Sequence, residues 1–120
     1  MKLGLYLHIP YCLHKCGYCD FNSHPENQVE SVHYVEALLK EIKFYSTTLK
    51  SYNVPTVFMG GGTPTILPPS QLKKILDTVR QSFNLTPDCE ITIEANPATI
   101  KLETLQEIHA AGYNRISIGV

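Results

Sequence analysis

The sequence has no excess of charge of either sign and no long apolar run. Ten lysines and arginines stand against 11 acidic residues, which gives a formal net charge of −1. Because nucleic-acid binding depends mainly on cations that neutralise phosphates, this balance argues against a nucleic-acid partner. The apolar N-terminal run is broken by His8 and Pro10, and no stretch is long enough to cross a bilayer. We therefore expect a cytoplasmic protein without a transmembrane segment.

Linkers, low-complexity tracts and internal repeats are also missing from the 120 residues. Hydrophobic residues make up 43% of the chain and charged residues 18%, which is enough apolar material for an ordinary core. This composition argues against intrinsic disorder and against a second domain.

Cysteine is scarce, and three of the four cysteines fall within the eight residues CLHKCGYC. In a reducing cytosol, such clustering indicates metal or redox chemistry more than disulfide bonds. Cys12, Cys16 and Cys19 are therefore candidate metal ligands. Cys89 stands alone before an apolar run, and we interpret it as a small buried hydrophobic residue.

Apolar runs and apolar periodicity alternate along the chain. Short apolar runs predict strands at 3–9, 56–59, 90–95 and 115–120, and most of them end at proline or glycine. Apolar residues that recur every three or four positions predict helices at about 27–49, about 69–83 and 102–111. Gly112 stands where a glycine commonly ends a helix.

Strands that alternate with helices at this spacing predict an α/β fold built from right-handed βα units around a parallel sheet. The last predicted strand reaches the end of the sequence, without a further helix or strand to cover it. Since parallel sheets need covered faces or closure, we expect a truncated chain that forms the N-terminal part of a partial (β/α)6 TIM-like barrel.

Three chemically distinctive features follow three successive predicted strands. The cysteine loop follows the first strand, Gly60 to Pro64 follow the second, and Glu94 ends the third. Because the carboxyl ends of parallel strands meet at one rim, we expect these features to converge on a single site.

The cysteine spacing has two interpretations when it is considered alone. Iron-sulfur clusters are usually held by four thiolates, so three cysteines would leave one iron of a [4Fe-4S] cluster without a protein ligand. An open coordination position is typical of reactive sites. The alternative is zinc, because His24 completes the pattern C-x3-C-x2-C-x4-H and zinc accepts such a tetrahedral set. In that case the chain would be a small zinc-binding interaction module.

The cysteine motif, with an aromatic residue before its third cysteine, resembles the radical S-adenosylmethionine (radical SAM) superfamily. A wider resemblance, to the branch that contains oxygen-independent coproporphyrinogen III oxidase and the HemW-type haem chaperones, rests on four segments in order: LYLHIPYCLHKCGYCDFNSH, VFMGGGTPTIL, ITIEANPATI and AGYNRISIGV. It covers nearly the whole chain and implies that residues 1–120 are the N-terminal portion of a radical SAM core. In this family, S-adenosylmethionine binds the open iron, and reductive cleavage gives a 5′-deoxyadenosyl radical.

The resemblance implies roles for particular residues. Cys12, Cys16 and Cys19 would bind the cluster, while the wall around the cofactor would be formed by Gly60, Gly61, Gly62, Thr63, Glu94, Tyr6 and Tyr18. Bare glycine backbone permits close approach of a ligand, and a carboxylate suits a cationic amino group. Without the resemblance, the glycine run could be an ordinary turn, Glu94 a solvated strand end, and Tyr6 a packed side chain.

Two functions of different class follow from the resemblance. A haem chaperone would bind haem and pass it to an acceptor protein, whereas the oxidase would decarboxylate porphyrinogen propionates with an electron donor. The oxidase carries a further cysteine two residues after the third, and Phe21 stands at that position here. This difference favours the HemW-like function and leaves the catalytic residues unassigned.

Overall fold

The chain folds into strands and helices that alternate around a parallel sheet. The computed structural model describes residues 2–12, 24–25, 28–97 and 100–118. In chain order, the elements are β1 (Lys2–Ile9), β2 (Tyr11–Cys12), β3 (His24–Pro25), α1 (Gln28–Leu49), β4 (Asn53–Gly61), α2 (Pro69–Ser82), β5 (Asn84–Ala95), α3 (Leu102–Ala111) and β6 (Arg115–Ile118), with a short 3-10 helix at Pro64–Ile66.

The main sheet has four strands in the order β1-β4-β5-β6, and all neighbouring pairs are parallel. Helix α1 connects β1 to β4, α2 connects β4 to β5, and α3 connects β5 to β6. This arrangement confirms the predicted α/β fold with parallel βα units.

The three helices pack on one face of the sheet and form the core with it. The sheet contributes four side chains that are at most 7% exposed: Leu7, Ile9, Met59 and Ile93. They belong to one core cluster with buried apolar side chains of the helices: Val35, Leu38, Ile42, Leu72, Ile75, Leu76, Val79 and Ile108. Burial of such apolar side chains is the main favourable contribution to the free energy of folding. None of the described helices is long and apolar enough to cross a membrane.

The ends of two helices carry residues that commonly occupy such positions, proline at the start of α2 and glycine at the end of α3. Pro69 begins α2 at the first helical position, where proline leaves no donor unpaired. Gly112 ends α3 with a φ of 120°, and its amide bonds to the carbonyl of His109. A Cβ on Gly112 would lie 2.7 Å from Nη2 of Arg80, so the helix end and α2 meet closely there. The prediction that glycine ends this helix is confirmed.

The sequence periodicity places Val32, Val35, Leu38, Ile42 and Tyr45 on one apolar stripe of α1, and the buried part of this stripe is shorter than the pattern suggested. Val35, Leu38 and Ile42 are buried, but Val32 is 40% exposed and Tyr45 is 50% exposed. Because 22 residues of helix make about six turns, a stripe at a strict spacing of three and four drifts around the axis. The ends of the predicted stripe therefore leave the core.

Two strands are longer than the apolar runs that predicted them. Strand β4 begins at Asn53 and continues through Gly60 and Gly61, and β5 begins at Asn84 rather than near residue 90. The side-chain Nδ2 of Asn84 donates a hydrogen bond to Oδ1 of Asn53 at 2.7 Å, which connects the starts of the two strands. Polar residues and Pro87 hid the first half of β5 in the sequence.

Opposite the helices, the sheet presents a second face, called here the site face, which carries Tyr6, Phe58, Glu94 and Arg115. One row crosses all four strands in register, with Tyr6 beside Phe58, Phe58 beside Thr92, and Thr92 beside Arg115. Nearer the carboxyl ends of the strands, His8 pairs with Gly60, and Glu94 pairs with Ser117. Side chains on a strand alternate between faces, which accounts for the two separate sets.

Strand β1 lies at the edge of the described sheet, next to α1. The hydroxyl of Tyr34, on α1, donates a hydrogen bond to the carbonyl oxygen of His8. This bond fixes the helix to the carboxyl-terminal part of the edge strand.

Candidate cofactor site

The glycine turn at the end of β4 lies against the end of β1. The amide of Gly62 donates to the carbonyl of Ile9 at 2.7 Å. Gly61 has a φ of 113°, and a Cβ on it would lie 2.7 Å from Nδ1 of His8 and 2.7 Å from the carbonyl oxygen of Ile9. Only glycine adopts this backbone readily, and the contacts leave no space for a side chain. The turn is therefore determined by both conformation and packing.

Glu94, near the end of β5, reaches across to the same turn. Its Oε1 accepts a hydrogen bond from the amide of Gly61 at 2.9 Å. A Cβ on Gly60 would lie 2.5 Å from this oxygen and 2.8 Å from Cε1 of Phe58. The absence of a side chain on Gly60 is what allows the carboxylate to cross the strand.

Tyr6 contributes an aromatic ring to the site face. Its ring stacks on Phe58 with a centroid distance of 5.8 Å and an interplanar angle of 14°, and its hydroxyl lies 3.5 Å from Nδ1 of His8. Partial burial raises the pKa of the Tyr6 phenol, and the Glu94 carboxylate raises it further. Tyr6 is 57% exposed, so it is not a core residue.

Thr63 and the 3-10 helix continue the chain from the glycine turn into the interior. Thr63 is 8% exposed, and its carbonyl accepts from the amide of Ile66 at 2.9 Å. Pro64 is buried as the first residue of the 3-10 helix, and its fixed φ suits that position. The segment that follows Gly62 is therefore a short turn of helix held by a backbone hydrogen bond.

The start of the cysteine loop leaves the same end of β1. Cys12 lies in β2, whose two residues pair in parallel with β3, and β2 contacts the 3-10 helix after the glycine turn. Cys16, Cys19 and Tyr18 lie outside the described residues, so the predicted cluster ligands and the second aromatic contact stay predictions. Cys89 is 6% exposed, which agrees with its interpretation as a buried residue.

The structure brings together Tyr6, Gly61, Gly62 and Glu94 at the carboxyl ends of β1, β4 and β5. Bare backbone at the turn and a carboxylate beside it fit a ligand that carries a cationic amino group and needs close approach to the chain. This donor set therefore fits the amino-acid part of S-adenosylmethionine.

Two residues of the site were missed by the sequence analysis. Phe58 stacks on Tyr6, and His8 packs its ring beside Gly61. Both could have been found by strand alternation, because Phe58 stands two residues before Gly60 and His8 stands two residues after Tyr6. Phe58 was missed because it lies in the short apolar run that predicted a strand. His8 was missed because no ligand-binding pattern in the sequence pairs it with another residue.

The described geometry defines a class of protein: a parallel α/β fold with a candidate ligand site at the carboxyl ends of its strands. The family model of the radical SAM superfamily matches residues 6–120, and the chain belongs to this superfamily. Membership implies a [4Fe-4S] cluster and S-adenosylmethionine as cofactors.

Comparison with individual proteins shows which members of the superfamily the chain is similar to. The chain is 44% identical over 119 residues to the heme chaperone HemW of Escherichia coli K12 and 43% identical over 120 residues to HemW of Mycobacterium tuberculosis CDC 1551; each alignment covers 98% of this chain. It covers 32% and 31% of those proteins, so it spans about a third of the curated relatives' length.

A solved structure shares the fold. The chain matches the coproporphyrinogen III oxidase HemN of Escherichia coli, described as a radical SAM enzyme, with a TM-score of 0.89 and 36% identity. The match covers 98% of this chain and 27% of that protein. The predicted partial radical SAM barrel is thereby confirmed as the fold class.

Proposed function

We propose that this chain belongs to a haem chaperone of the HemW type, which binds haem and transfers it to an acceptor protein. The observation that carries the proposal is the 44% identity with HemW of Escherichia coli along 98% of the chain. Phe21 supports it, since the oxidase branch is expected to have a cysteine at that position. In this proposal, residues 1–120 are the N-terminal portion of the radical SAM core, and the protein acts in the cytoplasm.

Within that function, Cys12, Cys16 and Cys19 hold the [4Fe-4S] cluster, which supplies electron transfer to the bound cofactor. Gly61, Gly62 and Thr63 form the wall that receives S-adenosylmethionine. The carboxylate of Glu94 faces the cationic amino group of this ligand, and the Tyr6 and Tyr18 rings flank it. The hydrogen bond from the Gly61 amide to Glu94 holds the carboxylate in place before the ligand binds.

The cluster assignment is tested by colour and by substitution. A [4Fe-4S] cluster is brown and bleaches on reduction, whereas zinc is colourless. We expect Cys12→Ala, Cys16→Ala and Cys19→Ala each to remove the absorbance and the bound iron, and Cys89→Ala to leave both. Loss of the chromophore in Cys89→Ala alone, or stoichiometric zinc without iron, would contradict the assignment.

The chaperone function is tested by haem binding and transfer. The intact protein, purified anaerobically with its cluster, is titrated with haem and then mixed with an apo-protein acceptor, and the Soret band of each species is followed. We expect saturable binding and movement of the band to the acceptor. A protein that takes up no haem would contradict the proposal.

The second candidate function is coproporphyrinogen decarboxylation, which is supported by the structural match to HemN at 36% identity and is second because the identity to HemW is 44%. It is tested by incubating the same preparation with coproporphyrinogen, S-adenosylmethionine and a reductant. Vinyl-bearing product would establish the oxidase and refute the chaperone proposal, while recovery of unchanged substrate together with haem transfer would support the chaperone.

A further inference from the structure

The row of residues that crosses the site face has different chemistry at its two ends. At one end, the stacked rings of Tyr6 and Phe58 offer an aromatic surface on β1 and β4. At the other end, Arg115 stands on β6, one strand beyond Thr92. Neighbouring parallel strands lie about 4.8 Å apart, so Phe58 and Arg115 are separated by roughly 10 Å. A planar ligand against the rings could therefore extend an acidic substituent toward the guanidinium.

The side chain of Arg115 lies on the site face and is loosely held there. Its Nη1 is 3.4 Å from Oγ1 of Thr92 and 3.7 Å from Oε1 of Glu90. Thr92 is 2% exposed, whereas the side chains of Arg115 and Glu90 are 54% and 57% exposed. An exposed ion pair at this distance contributes little to stability. The pair therefore holds the guanidinium over the sheet without a strong bond that a ligand would have to replace.

Arg115 retains donors for a further acceptor. A guanidinium has five N–H donors, and the two contacts described above both use Nη1. Its planar fork matches a carboxylate in a bidentate arrangement, which is stronger and more specific than a single hydrogen bond. Lysine could supply the charge but not the fork.

We propose that Arg115 binds a carboxylate of a planar aromatic ligand whose ring lies against Tyr6 and Phe58. The inference rests on the proposed function, which supplies a ligand of this class: haem is a planar tetrapyrrole that carries two propionate groups. The methionine carboxylate of S-adenosylmethionine is a second source of the same chemistry. We assign Arg115 to the tetrapyrrole, because the glycine turn and Glu94 lie nearer the carboxyl ends of the strands than the row that ends at Arg115, and Tyr6 would border both ligands.

The test compares a free-acid porphyrin with its ester. Mesoporphyrin IX and its dimethyl ester share the same ring, and the ester lacks ionised carboxylates. Fluorescence titration of the intact protein, anaerobic and with its cluster, gives the Kd of each for the wild type, Arg115→Gln and Arg115→Lys. Arg80→Gln is the matched control, since Arg80 lies on α2, beside Gly112.

We expect Arg115→Gln to weaken binding of the free acid by about 10-fold or more, as for a lost charge-assisted hydrogen bond, and to leave ester binding unchanged. Arg115→Lys should restore part of the affinity for the acid, and Arg80→Gln should change neither ligand. Glu90→Gln should strengthen binding of the acid, because it removes the competing carboxylate.

Three results would overturn the inference while the proposed function stands. In the first, Arg115→Gln weakens binding of the free acid and of the ester equally. In the second, it changes the affinity for neither porphyrin. In the third, it lowers the affinity for S-adenosylmethionine alone. Wild-type protein that binds neither haem nor either porphyrin would instead refute the proposed function and the inference with it. Urea unfolding of each variant checks that the fold is kept. If Arg115→Gln does not fold, the comparison of acid and ester binding is made with Arg115→Lys.

Discussion

The carboxylate of Glu94 fills the space that a side chain on Gly60 would need. The two residues stand on neighbouring strands, and the ideal Cβ position of Gly60 lies 2.5 Å from Oε1 of Glu94. The position of the acidic group is thus set by a missing side chain on the next strand as well as by its hydrogen bond to Gly61.

Gly60→Ala should therefore destabilise the protein and move Glu94. The added methyl group meets both Glu94 and Phe58, so we expect a loss of about 1–3 kcal/mol in the free energy of unfolding, as for other overpacked sites. Urea unfolding measures this loss. Gly4→Ala is the control, because its Cβ meets only Oγ1 of Thr56 at 3.0 Å, and that side chain can rotate. Equal effects of the two substitutions would contradict the packing argument.

Glu94→Gln separates the charge of Glu94 from its hydrogen bond. The amide oxygen of glutamine can still accept from Gly61, so the free energy of unfolding should change by less than about 1 kcal/mol. Affinity for S-adenosylmethionine should fall by about 10-fold or more, because the anion that faces its amino group is removed. Isothermal titration under anaerobic conditions measures the affinity, with Glu103→Gln on α3 as the control. Unchanged affinity in Glu94→Gln would remove Glu94 from the cofactor site.

Tyr113 should make the stability fall at alkaline pH. Its hydroxyl is buried and donates to the carbonyl of Leu72 at 2.8 Å, and burial raises the pKa of this phenol well above its usual value, with a further contribution from Asp77. Above about pH 10 the unfolded chain loses the phenolic proton while the native state keeps it, so stability decreases by about 1.4 kcal/mol per pH unit. Below that pH the contribution is fully present.

Urea unfolding at about pH 9 and about pH 11 tests this behaviour. Tyr113→Phe should flatten the alkaline decline, whereas Tyr52→Phe should leave it as in the wild type. A decline of the same slope in Tyr113→Phe and the wild type would show that other groups cause it.

Asn114 connects the turn after α3 to β5. Its Oδ1 accepts from the amide of Ile91 at 2.8 Å, and its Nδ2 donates to the carbonyl of Cys89 at 2.9 Å. Asn114→Ala should lower the free energy of unfolding by about 1–3 kcal/mol, because it leaves partly buried backbone groups without partners. Asn84→Ala breaks an exposed side-chain pair and should cost less than about 1 kcal/mol. The reverse order of the two effects would show that the Asn114 bonds are weak.

The sequence allowed the fold and one wall of the site to be predicted because these features depend on local signals. The alternation of apolar runs with helical periodicity gave the parallel βα units. Glycine, glutamate and cysteine at successive strand ends gave the rim on which Gly61 and Glu94 meet. Position along a parallel strand is enough to predict which end of the sheet a residue occupies.

Other features depend on register, which no local pattern encodes. The stacking of Tyr6 on Phe58 and the row that ends at Arg115 follow from how the strands align across the sheet. The first half of β5 was missed because its backbone pairs with β4 while its side chains are polar. Such pairing is set by tertiary contacts and not by propensity.

The bond from the Tyr34 hydroxyl to the His8 carbonyl has a consequence for self-association. A strand at the margin of a sheet offers main-chain acceptors on which a foreign polypeptide can start a new ladder, the first step toward aggregates. Here a phenol from the protein's own helix already engages the acceptor closest to the ligand rim. Extension of the sheet by another molecule is thereby hindered at the end that carries the glycine turn and the Glu94 carboxylate.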